Sequence, residues 1–306
     1  MRRALTLPVV WLAAGLAAAS PGAGQPVAVF PAETSLVNVA VTVEDAQGRP
    51  IDGLGARDFV LSEDGRKQRI DLCARMGDPG AGSTTLDVAL LVDASDSMLE
   101  TLRRSQEAAV RFLTSLPNAQ ELIVVVFDQA QRVERFDRDH PQGLFERLRD
   151  VPDGGNTALR DAIVFSLETL GTSNGRSALV LLPDGIDTVS ATEPAALEKA
   201  VQSTAVTIYP VAYPAAPGGD GPDPREALKG LRRLAEISGG RLFPLANEQA
   251  LPGVFDEIVA DLRAQYVLGF APDGAGAPGR LRKISVKVPG HRKAVVRHRV
   301  GYRLQR

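Results

Sequence analysis

The chain has 306 residues, 35 Lys and Arg against 37 Asp and Glu, 44% hydrophobic content, one cysteine and three histidines. That length suits about two domains with buried cores, and the composition is that of a folded chain rather than a disordered one. A net charge of -2 makes no electrostatic case for nucleic acid, and a single cysteine excludes an internal disulfide framework and a cysteine-rich zinc site.

The chain opens as a leader. Met1-Arg2-Arg3 is cationic, Ala4 to Ala19 is apolar, and Ser20-Pro21-Gly22-Ala23-Gly24 is built of small residues. This is the three-part layout of a signal peptide over residues 1–24. The apolar run contains Pro8 and falls short of the ~20 residues that a membrane span needs. Pro21 blocks cutting after Ser20, which leaves the Ala17-Ala18-Ala19 end or the Ala23-Gly24 region. Removing the leader takes two arginines and no acid, leaving -4. The expected product is periplasmic or secreted, with no transmembrane span.

Residues 35–78 read as short β runs. Val37, Val39, Val41 and Val43 alternate with Asn38, Ala40, Thr42 and Glu44, the period of a half-buried strand. Asp45-Ala46-Gln47-Gly48 is a turn, and Phe59-Val60-Leu61 and Ile70-Asp71-Leu72-Cys73 read as further strands around Glu63-Asp64-Gly65. Cys73 reads as a half-buried strand residue.

Residues 84–264 alternate strand and helix, as a parallel sheet with crossover helices requires. The expected strands, Val88–Val92, Leu122–Phe127, Ala178–Leu182 and Val206–Val211, are almost wholly apolar, like strands covered on both faces. Gln131–Phe136 reads as an edge. Helices are expected at Leu99–Leu116, Thr157–Leu170, Pro194–Ser203, Pro224–Ser238 and Ala250–Ala264, with Gly239-Gly240 stopping the fourth. Residues 265–306 return to β: Gln265–Phe270, then the alternating stretches around Ile284, Val286 and Val288 and around Val296, His298, Val300 and Tyr302. Neither end has enough strands to stand alone. The two are therefore expected to pack together as one split β unit with the α/β domain inserted between them.

The chemistry gathers where the first parallel strand ends, in Asp93-Ala94-Ser95-Asp96-Ser97. In open α/β sheets ligands collect beyond the carboxyl ends of strands. There Asp93, Ser95 and Ser97 can turn towards one centre as hard oxygen donors suited to Mg²⁺ or Mn²⁺. Two later loops add to them. Thr157, after Gly154-Gly155-Asn156, is placed either to cap a helix or to offer its hydroxyl, and Asp184 follows Leu181-Leu182-Pro183.

In these five positions the chain resembles the von Willebrand factor type A family. That family's metal-ion-dependent adhesion site is an Asp-x-Ser-x-Ser loop with a later Thr and a later Asp-Gly. The flanking strings Thr157-Ala158-Leu159-Arg160-Asp161-Ala162-Ile163 and Asp184-Gly185 followed by Asp187 match as well. The end segments, with Asp58-Phe59, Glu63-Asp64-Gly65, Gln265–Phe270 and Val300-Gly301-Tyr302-Arg303, resemble a bacterial secreted group of such proteins.

The resemblance implies a doubly wound, Rossmann-like, mostly parallel α/β sheet flanked by a small antiparallel β-sandwich-like unit. It also implies a Mg²⁺ site in which Ser95, Ser97 and Thr157 are the direct or near-direct donors and Asp93 and Asp184 act partly through water. A partner protein's acidic side chain would take the open position, and the last helix would be coupled to that event. Pro183 departs from the family's usual Ser or Thr and removes a hydroxyl from beside the site.

Other readings compete with this one. The metal could merely stabilise an envelope protein, or a metal-bound water could serve a hydrolase with Asp96 or Asp187 as base. No Gly-x-Ser-x-Gly string stands at a strand-to-helix elbow, and no phosphate-binding glycine turn follows the first parallel strand. Asp96, Asp161 and Asp187 read as solvated or helix-start carboxylates. Beyond Gly274 the chain holds ten Lys and Arg and no acid. This reads as a solvated sheet face with Lys283, Lys287, Arg297 and Arg299 outward, with contact to an anionic surface or polymer as the functional alternative.

Overall fold

Alternating Val residues and turn-forming Asp-Gly pairs build the first strands. A computed structural model gives the structure and describes residues 36–75, 85–93, 106–116, 119–127, 131–137, 139–140, 143, 146, 157–171, 176–183, 187, 189–212, 223–272 and 279–303. Strand β1 (Val37–Glu44) buries Val39, Val41 and Val43. It ends in a turn where the Asp45 carboxylate accepts from the Gln47 and Arg49 amides at 2.9 Å. Strands β2 (Val60–Glu63) and β3 (Arg66–Lys67) form a hairpin closed by Asp64 and Gly65, both at positive φ, as a two-residue turn of matching twist requires. Strand β4 (Leu72–Arg75) follows.

The middle of the chain runs β5 (Leu86–Asp93), α1 (Gln106–Ser115), β6 (Ala119–Phe127), β7 (Gln131–Arg135), α2 (Leu159–Leu170), β8 (Arg176–Leu182), α3 (Pro194–Ser203), β9 (Val206–Ala212), α4 (Pro224–Ser238), β10 (Phe243–Pro244) and α5 (Leu251–Ala264). Its sheet has the order β10-β9-β8-β5-β6-β7 and is parallel except for β7. Every residue of β5, β8 and β9 is buried. Successive side chains of a strand point to opposite faces. Val88, Leu90 and Val92 therefore meet α1 and α5, while Ala89 and Leu91 meet α2, α3 and α4. Phe112 of α1 stacks on Phe255 of α5 at 4.8 Å.

The rest is antiparallel: β11 (Tyr266–Phe270), β12 (Leu281–Lys287), β13 (Val295–His298) and β14 (Gly301–Arg303). They join the N-terminal strands in two four-stranded sheets, β13-β1-β11-β4 and β14-β12-β2-β3. The sheets enclose a core that includes Val41, Leu61, Leu268, Phe270 and Val286. Cys73 is half-buried on β4 against this core. No helix among the described residues is long and apolar enough to cross a membrane.

The regular pattern at Val296–Tyr302 suggested one strand. Instead the chain leaves the first sheet after His298 and enters the second at Gly301. Val300 bridges the change: its amide donates to the Ile237 carbonyl at 3.1 Å, and its carbonyl accepts from Ile284 at 3.0 Å. Gly239, at φ +86, ends α4 directly beneath this crossover, where a Cβ would lie 2.6 Å from the Arg299 nitrogen.

The expectation that Arg297 and Arg299 face solvent is corrected as well. Lys283 and Lys287 are exposed, but Arg297 and Arg299 are not. Alternation assigns a residue to one side of a sheet without saying what covers that side. Here the outer side of the β1 sheet is covered by the lower end of the α/β domain, where Asn38, Ala40 and Val267 line a small cavity with Leu86, Arg176 and Thr207. Arg299 donates to the carbonyls of Thr204 (3.1 Å) and Asn38 (2.8 Å).

Arg297 donates to Glu44 at 3.2 Å and to Asp261 of α5. Asp261 also accepts from the Tyr209 hydroxyl at 2.8 Å, which in turn accepts from Gln265 at 2.7 Å. Arg176 closes the chain on Gln265 and on the Leu262 carbonyl. Burial lowers the pKa of Arg176 and of Arg299 to about 10, so both remain cations at neutral pH. Burial also disfavours the charge of Arg297, but Asp261 and Glu44 outweigh it and raise its pKa.

Candidate metal centre

Asp93 is the last residue of β5 and is only 4% exposed. It pairs in register with Phe127, and Val92 pairs with Leu182, so β5, β6 and β8 end level at one edge of the sheet. Helix α2 begins at that edge, its Leu159 packed in the same cluster as Leu91, Phe127 and Leu181. Thr157 stands just before this helix. Of the five sequence candidates, the structure therefore places Asp93 and Thr157 at a common sheet edge, while Ser95, Ser97 and Asp184 lie outside the described residues, as does Asp96.

The helix was expected to start at Thr157 and starts at Leu159. Ala158 is its N-cap, and no side chain caps it from that position. The first turn is satisfied from elsewhere. Asp187 accepts from the Arg160 amide at 2.7 Å, and the Ser190 hydroxyl accepts from the Asp161 amide at 3.2 Å. Asp187 also accepts from the Ser190 hydroxyl at 2.5 Å and pairs with the Arg160 guanidinium at 3.3 Å. In return the Asp161 carboxylate accepts from the Ala191 and Thr192 amides at 2.9 and 2.8 Å, and Arg160 Nε donates to the Thr192 carbonyl at 2.5 Å.

Two carboxylates at a helix N-terminus suit the helix dipole, and the exchange ties the segment after β8 to the segment before α2. Burial, the largest influence on Asp161, pushes its carboxyl up, but the hydrogen bonds from Thr192 and Ala191 and the charge of Arg160 bring it below the ordinary carboxylate range. Asp161 is thus a helix-start carboxylate, as its sequence position suggested, whereas Asp187 serves the start of the same helix from 27 positions further along the chain. Their partners Ser190 and Thr192 were not legible in the sequence. The adjoining Arg160-Asp161 and the later Asp187 were the only signal.

A groove of about 520 Å³ adjoins this clasp, floored by Ile163, Leu197 and Leu231. On its rim Arg233 pairs with Glu198 and Lys229 with Glu226. The histidines lie elsewhere. His140 contacts Asp137 beyond β7, which runs back to the opposite edge beside Ile123, and His291 and His298 belong to the β sheets. Among the described residues no group of three or more His, Cys, Asp or Glu gathers as a metal cage.

The family model described as the von Willebrand factor type A domain matches residues 87–257, more than half of the chain. The chain belongs to the von Willebrand factor type A domain family. The matched span runs from β5 into α5 and includes the edge that carries Asp93 and Thr157. Among curated proteins none matches the sequence.

Among solved structures, the chain is similar to a von Willebrand factor type A protein from Catenulispora acidiphila, at 15% identity and a TM-score of 0.47, covering 90% of this chain and 76% of that one. It is also similar to the D319A mutant of the PilB minor pilin from Streptococcus sanguinis, at 14% identity and a TM-score of 0.46, covering 61% of this chain. A third similar structure is proximal thread matrix protein 1 from the mussel byssus with a zinc-occupied MIDAS motif, at 17% identity, a TM-score of 0.43 and 59% of this chain. The chain spans 63% of the pilin's length and 48% of the byssus protein's.

Outside the type A domain, the antiparallel sheets are built from both ends of the chain. The whole is a mixed α/β fold in which a mostly parallel sheet stands on two small antiparallel ones.

Proposed function

We propose that the protein is a metal-dependent protein-binding module of the adhesion type, in which Asp93, Ser95, Ser97, Thr157 and Asp184 hold Mg²⁺, with Mn²⁺ as a substitute. The observation that carries this reading is Asp93, a buried carboxylate at the level end of three parallel strands, on the edge where Thr157 precedes α2. The donor set of two carboxylates and three hydroxyls, with no imidazole or thiolate, is that of a hard divalent cation.

When bound, the ion would supply a Lewis-acidic position for the carboxylate of a partner protein. The protein's own residues supply the rest. β5 fixes Asp93, and the Arg160–Asp161–Asp187–Ser190 clasp sets the distance between the loops that carry Thr157 and Asp184. On this reading the protein is not an enzyme: among the described residues the histidines lie away from Asp93, and Asp187 is engaged by Arg160 and Ser190. The leader exports the chain to the periplasm or the medium. Residues 84–264 bind, and residues 35–78 and 265–306 form the mount.

Calorimetric titration with Mg²⁺ and Mn²⁺, on the wild type and on Asp93→Ala, tests the site. Heat with the wild type and none with Asp93→Ala is the expected result, and absence of heat with either metal defeats the site. Capture of partners from an envelope extract with and without EDTA tests the mechanism. Capture indifferent to EDTA defeats adhesion through the metal, and ester or phosphoester turnover that vanishes in Asp93→Ala would make the protein an enzyme instead.

A further inference from the structure

The near-neutral charge of the whole chain hides a strong separation. Residues 36–75 and 279–303, which make up most of the antiparallel unit, contain fifteen Lys and Arg against seven Asp and Glu, a net charge of +8. Six of the seven acids are each engaged by an arginine: Glu44 by Arg297, Asp45 by Arg49, Asp52 by Arg75, Glu63 by Arg282, Asp64 by Arg280 and Asp71 by Arg69. The seventh, Asp58, accepts from the Gly55 amide at 2.8 Å. No acid of these segments is left to neutralise Arg66, Lys67, Lys283, Lys287, Arg292 and Lys293, all of which are exposed.

Three of these cations share one surface. Lys67 lies opposite Ser62, and Ser62 opposite Ser285, across β3, β2 and β12. Directly opposed residues of a sheet point to the same side, and so do residues two apart. Lys283, Ser285, Lys287, Ser62 and Lys67 therefore form one outer face, while Leu61, Ile284 and Val286 point into the core. Lys283 and Lys287 lie about 13 Å apart along β12, and Lys67, two strands away opposite Ser285, lies about 12 Å from each. Arg292 and Lys293 sit in the loop that leads from β12 to β13 of the other sheet, a few residues after Lys287. Glu63, the one acid within β2, points inward to Arg282.

We propose that this outer face docks on an anionic phospholipid surface. Lys67, Lys283 and Lys287 lie on one side of one sheet and on different strands, so a broad surface can meet all three at once, whereas a single polymer strand would follow only one row. Lysines act as point charges and impose no fork geometry on what they bind. Among the described residues no aromatic ring is on this face to stack a base or a sugar: Phe59 and Tyr302 are in the core. The antiparallel unit meets the starts of the parallel strands, at the opposite end of that sheet from Asp93, and at the β14 edge of the face Arg303 reaches Gln202 of α3. A protein docked in this way presents its Asp93 edge away from the membrane. The inference rests on charge and topology and stands whether or not the edge holds a metal.

Co-sedimentation of the full chain with vesicles of phosphatidylcholine, alone or with about one third phosphatidylglycerol, tests it. The leader carries Arg2 and Arg3 and adds its own preference for anionic vesicles, which the triple variant K67E/K283E/K287E retains, so the contribution of the face is read from the difference between wild type and that variant. The expected result is added binding to the anionic vesicles that disappears in about 0.5 M salt, where the Debye length falls below ~5 Å. At roughly fivefold per lysine, the triple variant K67E/K283E/K287E should lose this added affinity about a hundredfold or more. Lys229→Glu on α4, a charge change elsewhere, should keep it.

Equal thermal unfolding of the triple variant and wild type excludes misfolding as the cause. If the variant unfolds early, lysine acetylation of the folded wild type replaces it and should remove the same binding. Equal binding to the two vesicle types, or an unimpaired triple variant, overturns the proposal. Retention by a soluble acidic polysaccharide but not by anionic vesicles would assign the face to a polymer instead and overturn the membrane assignment.

Discussion

His298 shows how one side chain can replace a strand. β14 pairs with β12 only at Leu281–Lys283, so further along β12 the Val286 amide has no strand carbonyl on that side. It donates instead to His298 Nε2 at 3.1 Å, while Nδ1 donates to the Arg299 carbonyl at 2.8 Å. This arrangement requires the neutral ring, since a second N–H would face the Val286 N–H. Burial, against a smaller opposing effect of the bond to Arg299, lowers the pKa of His298 below its ordinary 6.5. The unfolded chain therefore binds the proton first as pH falls, and stability declines from about pH 6.5 downward to the folded-state value. Urea midpoints should drop between pH 7.5 and 5.5. His298→Gln, whose amide oxygen still accepts from Val286, should flatten that slope, and a slope that persists unchanged would remove His298 as its source.

At the scale of elements, α2 and the segment after β8 are capped by each other rather than by their own sequences. Asp187 is 9% exposed by its side chain and satisfies the Arg160 amide, the Ser190 hydroxyl and the Arg160 charge together. Hydrogen bonds to a charged group contribute about 1.5–3 kcal/mol each when their loss strands a buried partner. Asp187→Ala should therefore lower stability by about 2–3 kcal/mol in denaturant titration. The same change frees the loops that carry Thr157 and Asp184, and supports around a metal site typically tune affinity about 10–100-fold. Mg²⁺ affinity should weaken within that range while Asp93 stays in place. Unchanged Mg²⁺ heat in Asp187→Ala would show that the clasp does not position the site.

On the scale of the whole molecule, the α/β domain and the antiparallel unit are fastened through buried charge. Asp261, 1% exposed by its side chain, joins α5 to Arg297 of β13 and to Tyr209 of β9, and Gln265 carries the contact on to Arg176. Burial, then the neighbouring Asp261 charge, raises the pKa of Tyr209 well above its ordinary value, so the tyrosine is a donor throughout the working pH range. Removing one partner of a buried ion pair costs about 3–5 kcal/mol. Asp261→Ala should destabilise by that amount, and the loss should hardly depend on salt because the pair is shielded from mobile ions. Arg297→Met with Asp261→Leu, which removes both charges, should recover part of it. A salt-sensitive loss would place Asp261 in contact with solvent. These ties hold the last turn of α5, which enters β11 after the single residue Gln265.

Much of the architecture was legible because it depends on local rules. Alternating Val37–Val43 gave a half-buried strand, and the apolar runs at Val88–Val92 and Ala178–Leu182 gave strands covered on both faces. Pro224 and Gly239 bounded α4 as helix-terminus chemistry requires. Asp93 and Thr157 were legible as residues of strand end and helix start, and their common edge follows from β5 and β8 lying parallel in register.

Covering and pairing were not legible. Arg299 follows the same alternation as Lys283, yet Arg299 is half-buried against the α/β domain and Lys283 is exposed, because a two-residue period carries no information about the layer above. The short β10 pairs at a sheet edge only through Val211 and Ala212. The Asp187–Arg160 clasp joins residues 27 positions apart. The sequence by itself determined the elements, their order and the character of the sheet edge. Only the tertiary structure decided which of the many arginines became internal fasteners and which lysines were left to face outward, because desolvation and pairing depend on what folding brings alongside each charge.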